Sequence, residues 1–388
     1  MNIPAEVLAC RDDLISLRRH FHADPELGLQ EYHTADFIET YLRELGLTPR
    51  RCTPTGVVAD LHGGKPGKML LLRCDIDALP VQEETGLPFA SRNSGIMHAC
   101  GHDAHIAIQL VTAKLLCARK EELCGSVRFV FQPNEEDAGA ERMVKEGVLE
   151  GPKPDACGGY HIWSPIPTGK IGVTAGPLMA SSYYFKLTIH GRGGHGGAPH
   201  TAINPIDAAG HVLEAIKTLC TLEFSALCPT VISVCKIHGG NKEIIVPDSV
   251  EMEGSLRCLH DGDEEVRARF AEVTEQVCRA YRCTREIEFV CGNTLLNNDK
   301  EMTDLLVRSA EQVVGRENIL TSGISVMLGD DFAEFSRRVP GVYYFLGTAD
   351  PEKHTDVEHH NARFQIDEES LPIGVAIQTV FAQEYLKG

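Results

Sequence analysis

Long apolar runs, basic stretches and aromatic rings are what this chain has little of. No segment of its 388 residues approaches the ~18 consecutive apolar positions of a membrane span, so no membrane partner is expected. Lysine and arginine number 37 against 55 acidic residues, a formal charge of -18, and no basic stripe interrupts the excess. A nucleic acid or anionic membrane is repelled by such a surface. Aromatics make up only 6%, yet 43% hydrophobic and 24% charged residues describe an ordinary folded protein and exclude a disordered or collagen-like chain. Internal repeats and low-complexity linkers are missing. The first thirteen residues already carry Glu6, Arg11, Asp12 and Asp13, which reads against a secretory leader. The 14 cysteines lack paired Cys-x-x-Cys elements and read as reduced thiols of a cytoplasmic protein, most of them core filler.

The length favours two or three domains. Helical spacing opens the chain at 7–17 and returns at 34–45, where Gly46 stops it. Strands at 57–61, 69–74, 127–131 and 158–162 then alternate with helices at 104–116 and 140–148. The runs at 69–72 and 127–131 lack polar alternation, so both faces of these strands should be buried, as in an α/β layered domain. From about Ser181 the order becomes strand 183–189, helix 205–222, strands 231–237 and 250–256, helix 264–281 and strand 287–291. That β-α-β-β-α-β order predicts a ferredoxin-like sandwich. A helix at 301–314, a strand at 342–345 and a helix at 369–385 restore the first pattern. The expected organisation is one α/β domain (1–180 and 295–388) interrupted by an inserted domain (181–294).

Polar clusters follow the buried strands, where α/β sheets present their ligand sites. They are Asp75-Ile76-Asp77, the run from Met97 to His105, Gln132-Pro133-Asn134-Glu135-Glu136, and Tyr160-His161; a further one spans His354 to His360. Cys100 and His102 flank a glycine just before a helix, where a thiolate is favoured by the helix N-terminus and more so by a metal. Structural zinc and a thiol nucleophile are alternatives. The first lacks paired cysteines and the second leaves the glutamates and remote histidines without a role, so metal ligation is preferred. Glu135 and Glu136, adjacent at a strand end, point in different directions. One carboxylate can hold a metal while its neighbour moves a proton from water to a leaving amine. Asp77 suits the orienting of a ligand histidine; Asp75 stays open between that face and a turn residue. His33, His62, His211, His238 and His260 read as surface or core residues. Gly191-x-Gly193-x-x-Gly196 matches a dinucleotide fingerprint by letter, but Pro199 and Pro205 block the required helix and the later acidic residue is missing. A glycine-lined loop offering His195 to an active site is the better reading.

The segments RRHFHADPELGLQE, RCDIDALP, MHACGHDAH, QPNEE, GRGGHGGAPH and HHNARFQIDE, in this order, resemble the aminoacylase and carboxypeptidase family of di-metal amidohydrolases, most of all its N-acyl-amino-acid (hippurate-type) branch. The resemblance spans nearly the whole chain. It implies a zinc-peptidase-like catalytic domain with an inserted lid and dimerisation domain, a homodimer, and two divalent ions per subunit, manganese or zinc, with cobalt or nickel as alternatives. By that pattern Cys100, His102, Glu136, His161 and His359 are the metal ligands, with His360 a competitor for the last place. Cys100 stands where other branches have a bridging aspartate. Glu135 matches the general acid/base and Asp77 the orienting residue. His195 matches a lid histidine that reaches the partner subunit's site, and Arg257 a residue near the substrate carboxylate. Two departures matter: Asn361 follows the histidine pair where the branch usually has His-Ser-Pro or His-His-Pro, which leaves the last ligand between His359 and His360, and Ile244 fills a place where an asparagine helps hold that carboxylate. The implied reaction is hydrolysis of N-acyl amino acids. A dipeptidase, an N-acetyl-diaminopimelate-type deacetylase and a non-catalytic metal-binding protein are the alternatives.

Overall fold

The structure, a computed structural model, describes residues 1–387 and divides into two compact units. The first comprises Met1–Leu178, Leu296–Ser325 and the chain from Asp330 onward; the second comprises Met179–Leu295 and Val326–Gly329.

Unit one is built on an eight-stranded mixed sheet. Its order is Arg50–Cys52, Gly56–His62, Cys124–Gln132, Lys65–Asp75, Ala156–Pro167, Gly341–Ala349, Ile171–Gly172 and Ile319–Leu320. The four inner strands, from Cys124–Gln132 to Gly341–Ala349, run parallel. Helices cover them, and the strands are apolar on both faces: Met69 to Cys74, Phe129 to Phe131 and Val342 to Leu346 are all buried. The helices His102–Ala118 and Ser370–Tyr385 are buried along most of their lengths, which the near-continuous apolar sequence of each requires. Register places Asp75 beside Gln132 and His161 beside Phe345. The polar clusters therefore leave the sheet together at the carboxyl ends of its inner strands.

Unit two is a four-stranded antiparallel sheet in the order Thr230–Gly239, Ser249–Cys258, Ser181–His190, Thr284–Cys291. Helices Pro205–Thr218 and Asp263–Ala280 complete the β-α-β-β-α-β order of a ferredoxin-like sandwich. Phe185, Leu187 and Ile189 alternate inward against Ala208, Val212 and Phe270, while Tyr184 is exposed. The predicted helix 205–222 stops at Thr218 and continues as a π-turn, Leu219–Glu223. The helix predicted over 140–148 ends at Lys145, because Gly147 turns the chain with φ +83°. Among the described residues no helix is long and apolar enough to cross a membrane.

Candidate metal centre

Cys100 enters the site on a turn that only glycine can close. Gly101 has φ +87°, and a Cβ there would stand 2.0 Å from Ile162 Cδ1. His102 opens the helix that follows. Its Nδ1 donates to the Asp77 carbonyl oxygen at 2.8 Å, which fixes the tautomer and leaves Nε2 as the free acceptor. That Nε2 is buried without a hydrogen-bond partner. The same logic governs His161, whose Nδ1 donates to the Ile162 carbonyl at 2.5 Å and whose Nε2 lies 3.3 Å from Cys100 Sγ. Asp77 also accepts the Glu136 backbone N–H at 3.2 Å, so one carboxylate residue orients two neighbours. Glu136 keeps a buried oxygen, Oε1, without a hydrogen bond, 3.2 Å from His360 Nε2.

Several overlapping sets of donors result, one of them His102, Glu135 and Glu136. Cys100, His102 and His161 bring ligand atoms within 4.8 Å of one another, and so do Cys100, Glu136 and His360. Cys100 belongs to both. Buried acceptors with no partner are costly unless a ligand completes them, and sulfur, imidazole and carboxylate donors suit a divalent transition ion. The chemistry of these residues fits a divalent-metal site.

Of the two histidines open for the last place, His360 rather than His359 lies with the Cys100 and Glu136 donors. That ring donates Nε2–H to the Ile162 carbonyl at 3.1 Å and packs on Trp163 and Phe364, with centroids 5.1 and 4.8 Å away. Burial holds it neutral, with its pKa pushed down to about 3. His360 has a left-handed backbone (φ +65°) and anchors its N–H on the Ala99 carbonyl, which turns its ring to Glu136. Adjacent residues face opposite ways here. His360→Ala is expected to weaken metal binding about 10–100-fold and to remove turnover, whereas His359→Ala keeps metal content; metal titration of the two variants checks this.

The charges of these side chains do not balance by themselves. Burial, then Glu136 and Glu135, push the Cys100 thiol well above its ordinary range. Burial opposes a charged His102, but Asp75 and Asp77 outweigh it and lift the ring to about 10. Burial holds His161 neutral, well below the usual value. Burial also raises Glu135 well above a normal carboxyl, reinforced by Asp330, Glu136 and Asp331. Cys100, His102 and His161 would hold a dication in their deprotonated forms, and its positive charge would balance the surrounding carboxylates.

Sequence reasoning missed the support behind these side chains. Arg73 is fully buried and donates to Asp75 at 2.7 Å, Gln132 at 2.8 Å and Asp331 at 2.9 Å. Asp331 further accepts from Gln132 and from the Ala140 N–H, while Asp330 accepts from the Tyr343 hydroxyl. Asp75 resolves as a structural acceptor: it takes the Nδ1–H of His105 at 2.5 Å, and His105 Nε2 accepts the Ile162 N–H at 2.9 Å. A lone arginine in an apolar strand was the available signal; the Asp330-Asp331 pair gave none beyond two adjacent carboxylates. Arg73→Met strands several buried carboxylates and is expected to cost about 3–5 kcal/mol, measured by urea unfolding of the metal-free protein.

His195 and Arg257 belong to unit two. His195 lies exposed on a two-residue strand opposite Ile245, and its Nδ1 accepts the Gly197 N–H. Ile244 is half-exposed and accepts the Gly196 N–H through its carbonyl. Arg257 donates to the Met327 carbonyl at 3.0 Å.

The profile of peptidase family M20/M25/M40 matches residues 71–384. Thermostable carboxypeptidase 1 of Saccharolobus solfataricus is 37% identical over 98% of this chain and 97% of its own length. The N-acetylcysteine deacetylase of Bacillus subtilis is 37% identical over 93% of each chain. The crystal structure of the Bacillus subtilis YXEP protein, a dinuclear metal-binding peptidase, superposes with a TM-score of 0.85 at 33% identity, covering 98% of this chain and 99% of that one. The chain belongs to peptidase family M20/M25/M40 and is a hydrolase of amide bonds.

Proposed function

We propose that the protein is a two-metal amidohydrolase that releases an amino acid and a carboxylic acid from an N-acyl amino acid. The observation that carries this is the gathering of the Cys100, His102, His161, Glu136 and His360 donor atoms, with Glu135 buried beside His102 and Glu136. When bound, the metals polarise the acyl carbonyl and acidify water. Glu135 takes the proton of the attacking water and returns it to the departing amino nitrogen, a role that its raised pKa favours. Asp77 holds His102 in the tautomer that presents Nε2. His195 supplies a donor to the developing oxyanion, and Arg257 assists in binding the substrate carboxylate. Unit two acts as lid and dimerisation domain, so that His195 serves the partner subunit's site. Ile244, in place of an amide, leaves the carboxylate with fewer polar contacts and favours substrates with an apolar amino-acid part. The protein works in the cytoplasm, with manganese or zinc as its metal.

Chelator-treated protein reloaded with manganese, zinc, cobalt or nickel and assayed on N-acetyl amino acids, hippurate and dipeptides tests the reading. Metal-dependent cleavage of the acylated substrates, ahead of dipeptides, is expected. Preference for dipeptides would place the chain with the peptidases, and metal binding without any turnover would make it a non-catalytic relative.

A further inference from the structure

The N-terminal segment RRHFHADPELGLQE has no part in the proposed chemistry, yet its last residues lie against both acidic loops of the site. The Glu26 carbonyl accepts the Ala78 N–H at 2.8 Å, next to Asp77, and Leu27 pairs with Ala78 as an isolated bridge. Gly28 passes so close to Asn134 that a Cβ would stand 2.1 Å from its Oδ1. Glu31 is completely buried: Oε1 accepts the Asn134 N–H at 2.9 Å and Oε2 accepts the Thr55 hydroxyl at 2.6 Å. Burial raises this carboxyl to about 7, so keeping it inside is unfavourable unless those two hydrogen bonds are needed.

The turn it grips is unusual. Asn134 and Ala138 both adopt left-handed backbones, φ +56° and +59°, on either side of the short 3-10 turn Glu135–Asp137. The Asn134 carbonyl accepts from Gly139 at 2.8 Å and closes the loop. Non-glycine residues in this region persist only where their surroundings hold them. We propose that Glu31 is a positioning residue, its buried carboxyl pinning the left-handed turn at Asn134 from which Glu135 and Glu136 project. The inference deepens the proposed function and rests on it for the roles of those two glutamates.

Three full-length variants test it: Glu31→Leu, Glu31→Gln and Thr55→Val. Amide exchange of the peptide spanning 132–139 in the metal-free protein reads the pin itself. Zinc affinity by chelator competition, with kcat and KM on an N-acetyl amino acid, reads its consequence. Glu31→Leu is expected to speed exchange across 132–139 and to lower zinc affinity and kcat about 10–100-fold, with little change in KM. Glu31→Gln should restore most of each quantity, because its amide oxygen can accept from Asn134 while its NH2 donates to the Thr55 hydroxyl. A folded Glu31→Leu protein with unchanged exchange and zinc affinity overturns the proposal, as does a Glu31→Gln protein damaged to the same degree. Should Glu31→Leu not fold, Thr55→Val decides: a loss of about fivefold in kcat with faster exchange supports the pin, and no change overturns it. Exchange is independent of catalysis, so the expected exchange pattern in a protein that hydrolyses nothing would overturn the functional reading alone.

Discussion

Glu135→Gln is expected to bind its metals as the wild type does and to turn substrate over about 10³-fold more slowly. The amide keeps the size of the carboxyl and its place beside Asp330, but it can take no proton from water and has none to return to the amine. The carboxyl is buried and surrounded by Asp330, Glu136 and Asp331, which favour its protonated form. Bound cations would favour the ionised carboxylate, the form that can take a proton from water and return it to the amine. Metal content by elemental analysis with single-turnover kinetics separates this from a ligand's loss. A variant with normal metal and substantial turnover would remove Glu135 from the chemistry.

The second large effect belongs to Cys100→Ala. Cys100 lies in both the Cys100–His102–His161 and the Cys100–Glu136–His360 groups, the two halves of the proposed site. Its loss leaves each half with two protein donors and removes the negative charge they share. Zinc affinity is expected to fall by more than about 100-fold and turnover to reach background. Cys100→Asp, which restores an anionic donor where related branches have aspartate, should regain part of the metal binding. Chelator competition and residual activity of both variants measure this; an alanine variant that keeps two tight metals would disprove the shared role.

The sequence pattern made the inner sheet legible because strands buried on both faces leave uninterrupted apolar runs, as at Met69 to Leu72. The helix His102–Ala118 was legible too, since its first turn carries the Cys-Gly-His motif. Spacing alone pointed to Cys100 and His102, and the family resemblance added Glu136 and His161; the fold brings all four together. Sequence could not separate His359 from His360, because the choice rests on a left-handed φ and on which ring finds the Ile162 carbonyl. The Arg73 network was equally hidden: its members, Asp75, Gln132 and Asp331, lie on three segments whose meeting depends on strand register. Glu31 was quoted within a motif and carried no role, since its partner Asn134 is over a hundred residues away.

The proposed site would hold two cations among Cys100, His102, Glu136, His161 and His360. Equilibrium dialysis of chelator-stripped protein against zinc, followed by elemental analysis, measures it most directly. About two equivalents per chain are predicted for the wild type. One equivalent or none, from protein whose fold is intact, would contradict it.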